Sequence, residues 1–147
     1  MCIRDSFYMD LVDTYKTMKF FLIFVACSVT FSVSADSKVY FINLEDGDRV
    51  ESPFLIQFGL SSMGVAPAGT DRKNTGHHHL LINVNDIDLT KPIPSSSNHI
   101  HFGGGQTESL VELSPGNYSM QLVLGDMTHT PHKPPIISKK INITVVD

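Results

Sequence analysis

The chain of 147 residues has no Trp, only two Cys and 18% charged residues, and the charge shows no basic surplus: 11 Lys and Arg stand against 15 Asp and Glu, a net charge of −4. So little positive charge excludes a protein that holds nucleic acid through a basic surface. Hydrophobic residues, at 41%, are too many for a disordered chain. Only one stretch is continuously apolar, which excludes a multi-pass membrane protein. Amphipathic helical periodicity of useful length is missing, as are a nucleophile elbow, a phosphate-cradling loop and a dinucleotide fingerprint. Gly103-Gly104-Gly105 follows a strand pattern but opens no helix, so it reads as a turn.

The one apolar run, residues 20–33, lies within a segment, 18–35, that has the form of a secretory signal. Lys19 supplies the positive start and Val33-Ser34-Ala35 the small-residue cleavage pattern. Fourteen residues fall short of the about 20 that a spanning helix needs, with an uncleaved N-terminal anchor as the alternative. Cys27 after Ala26 raises a lipoprotein reading, which Phe24 and the apolar residues beyond Cys27 disfavour. Residues 1–17 carry Asp5, Asp10 and Asp13, unlike a signal's n-region, and read as a non-native extension upstream of a start at Met18. Their opening Met1-Cys2-Ile3-Arg4-Asp5 resembles a leader found at the head of sequences assembled from environmental DNA. The expectation is a periplasmic or secreted protein with one mature domain, residues 36–147, and no membrane segment after cleavage. That domain holds eight Lys and Arg against twelve Asp and Glu, all seven His, and neither Cys. Disulfides, thiol catalysis and Cys-ligated zinc are therefore excluded from it, and its stability must come from its core.

Residues 36–147 read as short strands separated by turns. Val39-Tyr40-Phe41-Ile42-Asn43 is β-rich and ends at the turn Glu45-Asp46-Gly47-Asp48. Residues 50–60 place Phe54, Ile56 and Phe58 on one face, with Pro53 at an edge or bend. Residues 61–76 look like a long loop. Residues 77–84 alternate His78, Leu80, Ile82 and Val84 on one face with His77, His79, Leu81 and Asn83 on the other. A short strand at 99–102 comes next, then strands at 108–113 and 118–124 around Ser114-Pro115-Gly116-Asn117, which suggests a connected pair. The last strand, 136–146, sets Ile137, Lys139, Ile141, Ile143 and Val145 on one face. About seven strands in this length predict an all-β, immunoglobulin-like antiparallel β-sandwich, with a small Greek-key barrel as the alternative.

All seven His fall between positions 77 and 132, in three groups: His77-His78-His79, His99 with His101, and His129 with His132. Alternation puts His77 beside His79, and His99 beside His101, on one face of a strand. Such imidazole pairs can chelate copper or zinc, and ligation by imidazole without thiolate suits either ion. His78 shares its face with Leu80 and Ile82 and reads as a core histidine. The loop Asp126-Met127-Thr128-His129-Thr130-Pro131-His132 can add nitrogens, a carboxylate or a thioether. The candidate metal ligands are His77, His79, His99, His101, Asp126, His129 and His132. No catalytic residue is assigned; Glu108 and Asp126 qualify as general bases only by type. Asn117-Tyr118-Ser119 and Asn142-Ile143-Thr144 match the glycosylation sequon but lie in or beside strands, behind a signal of bacterial form.

Several stretches belong together: Ser52-Pro53-Phe54, Phe58-Gly59, the run from Met63 to Gly69, Gly76-His77-His78-His79-Leu80-Leu81-Ile82, His101-Phe102-Gly103 with Gly105-Gln106-Thr107-Glu108, and Leu124-Gly125-Asp126 followed by His129, Pro131, His132 and Pro134-Pro135. Taken as a set, they resemble one bacterial family, domain of unknown function 4399. The resemblance spans about 39–146 and implies a small exported domain, with no established activity. It centres on His77, His78, His79, His101, His129 and His132. Asn83 stands where the resemblance leads one to expect Asp, and His99 lies outside the motif.

The expected function is binding of a transition-metal ion, copper or zinc, for sequestration, delivery or structure rather than turnover. The rival is an interaction module whose loops 61–76 and 86–97 contact a protein or a cell-wall glycan, with the histidines bracing those loops. A metal-dependent enzyme is the third reading.

Overall fold

A computed structural model describes residues 36–147; the expected signal and the extension before it lie outside the described residues. Nine strands form, β1 (Lys38–Phe41), β2 (Arg49–Glu51), β3 (Phe54–Ser61), β4 (Gly64–Val65), β5 (Thr75–Ile82), β6 (His99–His101), β7 (Glu108–Val111), β8 (Gly116–Gly125) and β9 (Ile141–Val146), with no helix among the described residues. They make two sheets, β1-β3-β7 and β2-β9-β8-β5-β4, with β6 added to β5. This is the expected all-β sandwich.

Period-two patterning explains how the sheets close on each other. Phe54, Ile56 and Phe58 of β3, Val39 of β1 and Val111 of β7 are buried against Leu80 and Ile82 of β5, Met120, Leu122 and Leu124 of β8, and Ile141, Ile143 and Val145 of β9. Phe58 bridges the layers, its ring centroid 4.6 Å from Phe102 and 5.2 Å from His78. His78 is thus a core histidine, as its face implies; its Nδ1 lies 3.3 Å from the Gln106 carbonyl oxygen.

The structure corrects several details, among them the expected loop 61–76, which contains β4 and the start of β5. Residues 50–60 are two strands in different sheets, because Pro53 lacks the N–H that a continuing ladder requires. Short β2 then runs parallel to β9, and β4 parallel to β5, so the sandwich is not wholly antiparallel. Strands β7 and β8 are no hairpin: the segment between them crosses from the smaller sheet to the larger. The last run also breaks. Ile137 bridges Val123 and joins a second cluster with Leu81 and Ile93, whereas Ile141, Ile143 and Val145 enter the main core. Ser138 marks the change, its hydroxyl accepting from Leu122 N–H at 2.9 Å and donating to the Lys139 carbonyl at 2.7 Å.

Strand β5 lies inside the larger sheet and carries the first histidine group. It pairs with β8 along one edge (His77 opposite Gly125, His79 opposite Val123) and with β6 along the other (His79 opposite His101, Leu81 opposite His99). It ends at Ile82, earlier than the pattern suggests. Asn83 turns to φ 55° and pairs with Ser119 in both directions, its N–H donating to the Ser119 carbonyl and its Oδ1 accepting from Ser119 N–H, each at 2.8 Å. Asn83 therefore serves strand termination.

The two faces of the smaller sheet should respond differently to truncation. Ile56→Ala empties a fully buried site between the sheets and is expected to cost about 2–5 kcal/mol in urea unfolding. Leu110→Ala, on the exposed face of β7 (69% exposed), is expected to stay within about 0.5 kcal/mol.

Candidate metal centre

His77, His79 and Leu81 of β5 point away from the inter-sheet core, yet they are buried as completely as His78, Leu80 and Ile82. His77 is 0% and His79 1% exposed. The covering comes from Ile93, on the chain after β5, and from the loop after β8, which meet where Ile93 N–H donates to the His129 carbonyl at 2.9 Å.

The three histidine groups meet on this face. One ring nitrogen each from His77 on β5, His101 on β6 and His129 in the loop after β8 lies within 4.8 Å of the others. Three nitrogens around one tetrahedral ion at bond lengths of about 2.0–2.1 Å are about 3.3 Å apart. The remaining gap, on the order of 1.5 Å, is within the reach of side-chain rotation. Ring centroids of the three are 4.6–5.0 Å apart. This histidine cluster can hold a metal ion.

Local backbone structure explains how His129 arrives there. The Asp126 carboxylate accepts from the Thr128 N–H and hydroxyl, both at 2.7 Å, and from the Thr130 N–H at 3.0 Å, which winds the loop tightly. His129 N–H donates to the Asp126 carbonyl at 2.9 Å, and His129 takes φ 68°, a left-handed conformation that directs its ring back over the sheet. Burial opposes ionisation of Asp126, but the Thr128 and Thr130 hydrogen bonds and nearby His132 outweigh it and hold the carboxyl below its ordinary range. Asp126 shapes the loop; it does not join the three nitrogens.

The other candidate ligands fall around this set. His79 touches it: its Nε2 is 3.0 Å from His77 Nε2, and its ring stacks on His101 at 28° with centroids 5.0 Å apart. His99 shares a strand face with His101 but sits opposite Leu81, and its Nδ1 is 3.0 Å from the Ser96 hydroxyl. His132 has its Nε2 only 2.9 Å from where a side chain at Gly76 would begin, beside the strand position next to His77. Glu108 accepts from the Gln57 side chain at 3.0 Å in the smaller sheet.

Three glycines make the room, and sequence reasoning takes one of them merely as a turn residue. Gly125 lies opposite His77 on β8; a Cβ there would come within 2.8 Å of His79 Nε2 and 3.4 Å of His129 Cα. A Cβ on Gly103 would come within 2.3 Å of the His101 ring, and one on Gly76 within 2.6 Å of the Gly125 carbonyl oxygen. The available signal was their placement: each adjoins or nearly adjoins a histidine or Asp126 in the chain.

Burial leaves these imidazoles neutral. Desolvation, reinforced by His101 and His129, pushes His77 down to about 4, against a small opposing pull from Asp126. Desolvation, with His77 and His101 adding to it, pushes His79 down to about 3. Burial and then His129 lower His101 as well. Neutral rings present the lone pairs that a metal requires. His77 Nδ1, His79 Nδ1 and His101 Nε2 are buried without a hydrogen-bond partner, as are His132 Nε2 and, in the core, His78 Nε2; such atoms call for an ordered water, a ligand or an ion in a folded protein.

In the unfolded chain these histidines protonate near 6.5, whereas the folded ones resist protonation down to about 4 and 3. The unfolded state therefore binds more protons in that window. Stability is complete above pH 6.5 and is lost as pH falls toward 4 and then 3, which metal-free thermal melts across that range will register as a falling Tm. Gly103→Ala keeps every imidazole but displaces the His101 ring, and is expected to lower metal affinity at least tenfold in titration calorimetry while leaving the β-rich circular dichroism spectrum in place.

Neither a curated protein nor a solved structure matches the chain. Residues 56–146, which contain β5, β6, the loop after β8 and all seven histidines, match the family described as Domain of unknown function (DUF4399), and the chain belongs to that family.

Proposed function

We propose that this is an exported protein that binds one copper or zinc ion through His77, His101 and His129, for sequestration or delivery rather than turnover. The observation that carries the reading is the convergence of three imidazole nitrogens from two strands and a loop far apart in sequence. Export is supported by the pattern of residues 18–35, a positive start, a short apolar run and a small-residue end. A periplasmic or extracellular setting also suits a site without thiolate, since imidazole ligation does not depend on keeping a cysteine reduced.

The contrasting reading, in which the histidines only brace loops for a protein or glycan partner, has less support. A bracing imidazole uses its ring nitrogens in hydrogen bonds, as His99 does with Ser96. In the cluster, buried nitrogens of His77, His79 and His101 converge with no such partner; outside it only single atoms, His132 Nε2 and His78 Nε2, share that lack among the described histidines.

The test is metal content. After incubation with copper or zinc and exhaustive dialysis, the purified protein is expected to retain about one ion per chain, and His129→Ala to retain little while keeping its fold by circular dichroism. An ion that prefers the folded state stabilises it by at most about 2.7 kcal/mol at a concentration a hundredfold above Kd, less whatever His77-His78-His79 bind in the unfolded chain, and the gain should be reversed by chelator. Protein that stays metal-free at micromolar ion overturns the reading.

A further inference from the structure

If the cluster binds metal, the reading on which the inference below rests, the coordination shell can be completed in two chemically distinct ways. Four imidazoles crowd the site. With His79 as a fourth ligand, the ion is enclosed by protein. Without it, one coordination position belongs to something from solution.

Ring orientation separates these cases. An imidazole lone pair lies in the plane of its ring, so an ion held by three rings sits where their planes cross. The rings of His77 and His101 are inclined at 70°, those of His77 and His129 at 77°, and those of His101 and His129 at 64°. Three planes so mutually steep meet at one point. His79 departs from the pattern: it is steep to His129, at 82°, but inclined at only 28° to His101 and 43° to His77, so its plane adds little to the crossing that those two rings define. Its ring is also 5.9 Å from that of His129, the longest separation in the cluster, and it is not a member of the three-nitrogen set.

His79 has another use. The 3.0 Å contact between His79 Nε2 and His77 Nε2 requires one ring to donate. With His77 donating, His77 keeps a lone pair on Nδ1, which is buried and otherwise unpartnered. Ligating histidines commonly donate their second ring N–H in this way, which fixes tautomer and ring orientation.

Charge and access indicate what takes the open position. Among the described residues the one ion pair is Lys91 with Asp88, so no carboxylate lies within ion-pair distance of the histidines. Three imidazole ligands bring no charge of their own, and Asp126 offsets that of a divalent ion only from a distance, which in a mostly buried setting favours an anionic fourth ligand. His77 and His79 are sealed, whereas His101 and His129 are half-buried, so an exchanging ligand has a route past those two rings.

We propose that the centre is a three-histidine site whose fourth position binds an exchangeable small anion or water, and that His79 is a positioning residue that orients His77. The chemical consequence is ligand exchange at the ion, which suits a site that takes up or hands on its metal.

Cobalt(II) substitution tests this, because the visible bands of the ion report coordination directly. The purified protein with one cobalt ion is expected to show the intense bands of a four-coordinate site, and added azide to shift them saturably. His79→Gln should weaken cobalt affinity by about 10–100-fold yet keep an azide-responsive spectrum of the same type. A wild-type spectrum indifferent to azide, joined to a responsive His79→Gln spectrum, would show His79 as the fourth ligand and overturn the proposal. A wild-type protein that acquires no cobalt bands and retains no ion would instead remove the metal-binding reading on which the proposal rests.

Discussion

Strand β5 is buried on both of its faces, and the rest of the molecule is arranged around meeting the two different demands this creates. Its even-numbered side chains, His78, Leu80 and Ile82, belong to the apolar layer between the sheets, where close packing and removal of apolar surface from water supply the stability of a domain without a cysteine. Its odd-numbered side chains begin with His77 and His79, whose ring nitrogens are polar and shielded from water. Buried imidazole cannot be satisfied by packing alone. Each nitrogen needs a hydrogen-bond partner or an ion, and several in this cluster have neither among the described residues.

The loop after β8 answers to the same constraint. It brings His129 over the sheet through a left-handed residue and a turn organised by the Asp126 carboxylate. It is tied laterally as well: Ile93 N–H binds the His129 carbonyl, and Gly69 N–H binds the Met127 carbonyl at 3.0 Å. Both long connections that the sequence marks as candidate partner-binding loops therefore hold the histidine loop in place. Two histidines on a rigid sheet, joined by one from a braced loop, give the cluster a backbone frame that is fixed without any ion.

Much of the architecture was legible because alternation is a local property. Phe54, Ile56 and Phe58 declare their buried face by spacing, and so do Leu80 and Ile82, which also fixes the opposite face for His77 and His79. Sheet membership was less legible. Pro53 signalled a bend, but nothing in its neighbourhood says that the chain changes sheets there. The Ser114-Pro115-Gly116-Asn117 turn has hairpin chemistry, yet β7 pairs with β3 in the smaller sheet and β8 with β5 and β9 in the larger, so that Val111 and the β8 residues Met120, Leu122 and Leu124 enter one core from its two layers. The final run looked continuous since Ile137 and Ile141 keep the same parity; the interruption at Ser138 reverses which side they serve.

By itself, the sequence determined the composition of the site: imidazole without thiolate, gathered within one part of one domain, with two pairs placed on strand faces by period-two spacing. Tertiary structure alone decided which of those histidines meet. His101 reaches His77 because β6 pairs with β5 and Gly103 leaves space for its ring, whereas His99, equivalent by alternation, is carried one step along the ladder to Leu81 and Ser96. His129 joins them while His132, three residues on, lies beside Gly76. Register between strands and the conformation of a braced loop make these choices. Both depend on contacts between residues distant in sequence, which spacing along a single chain does not encode.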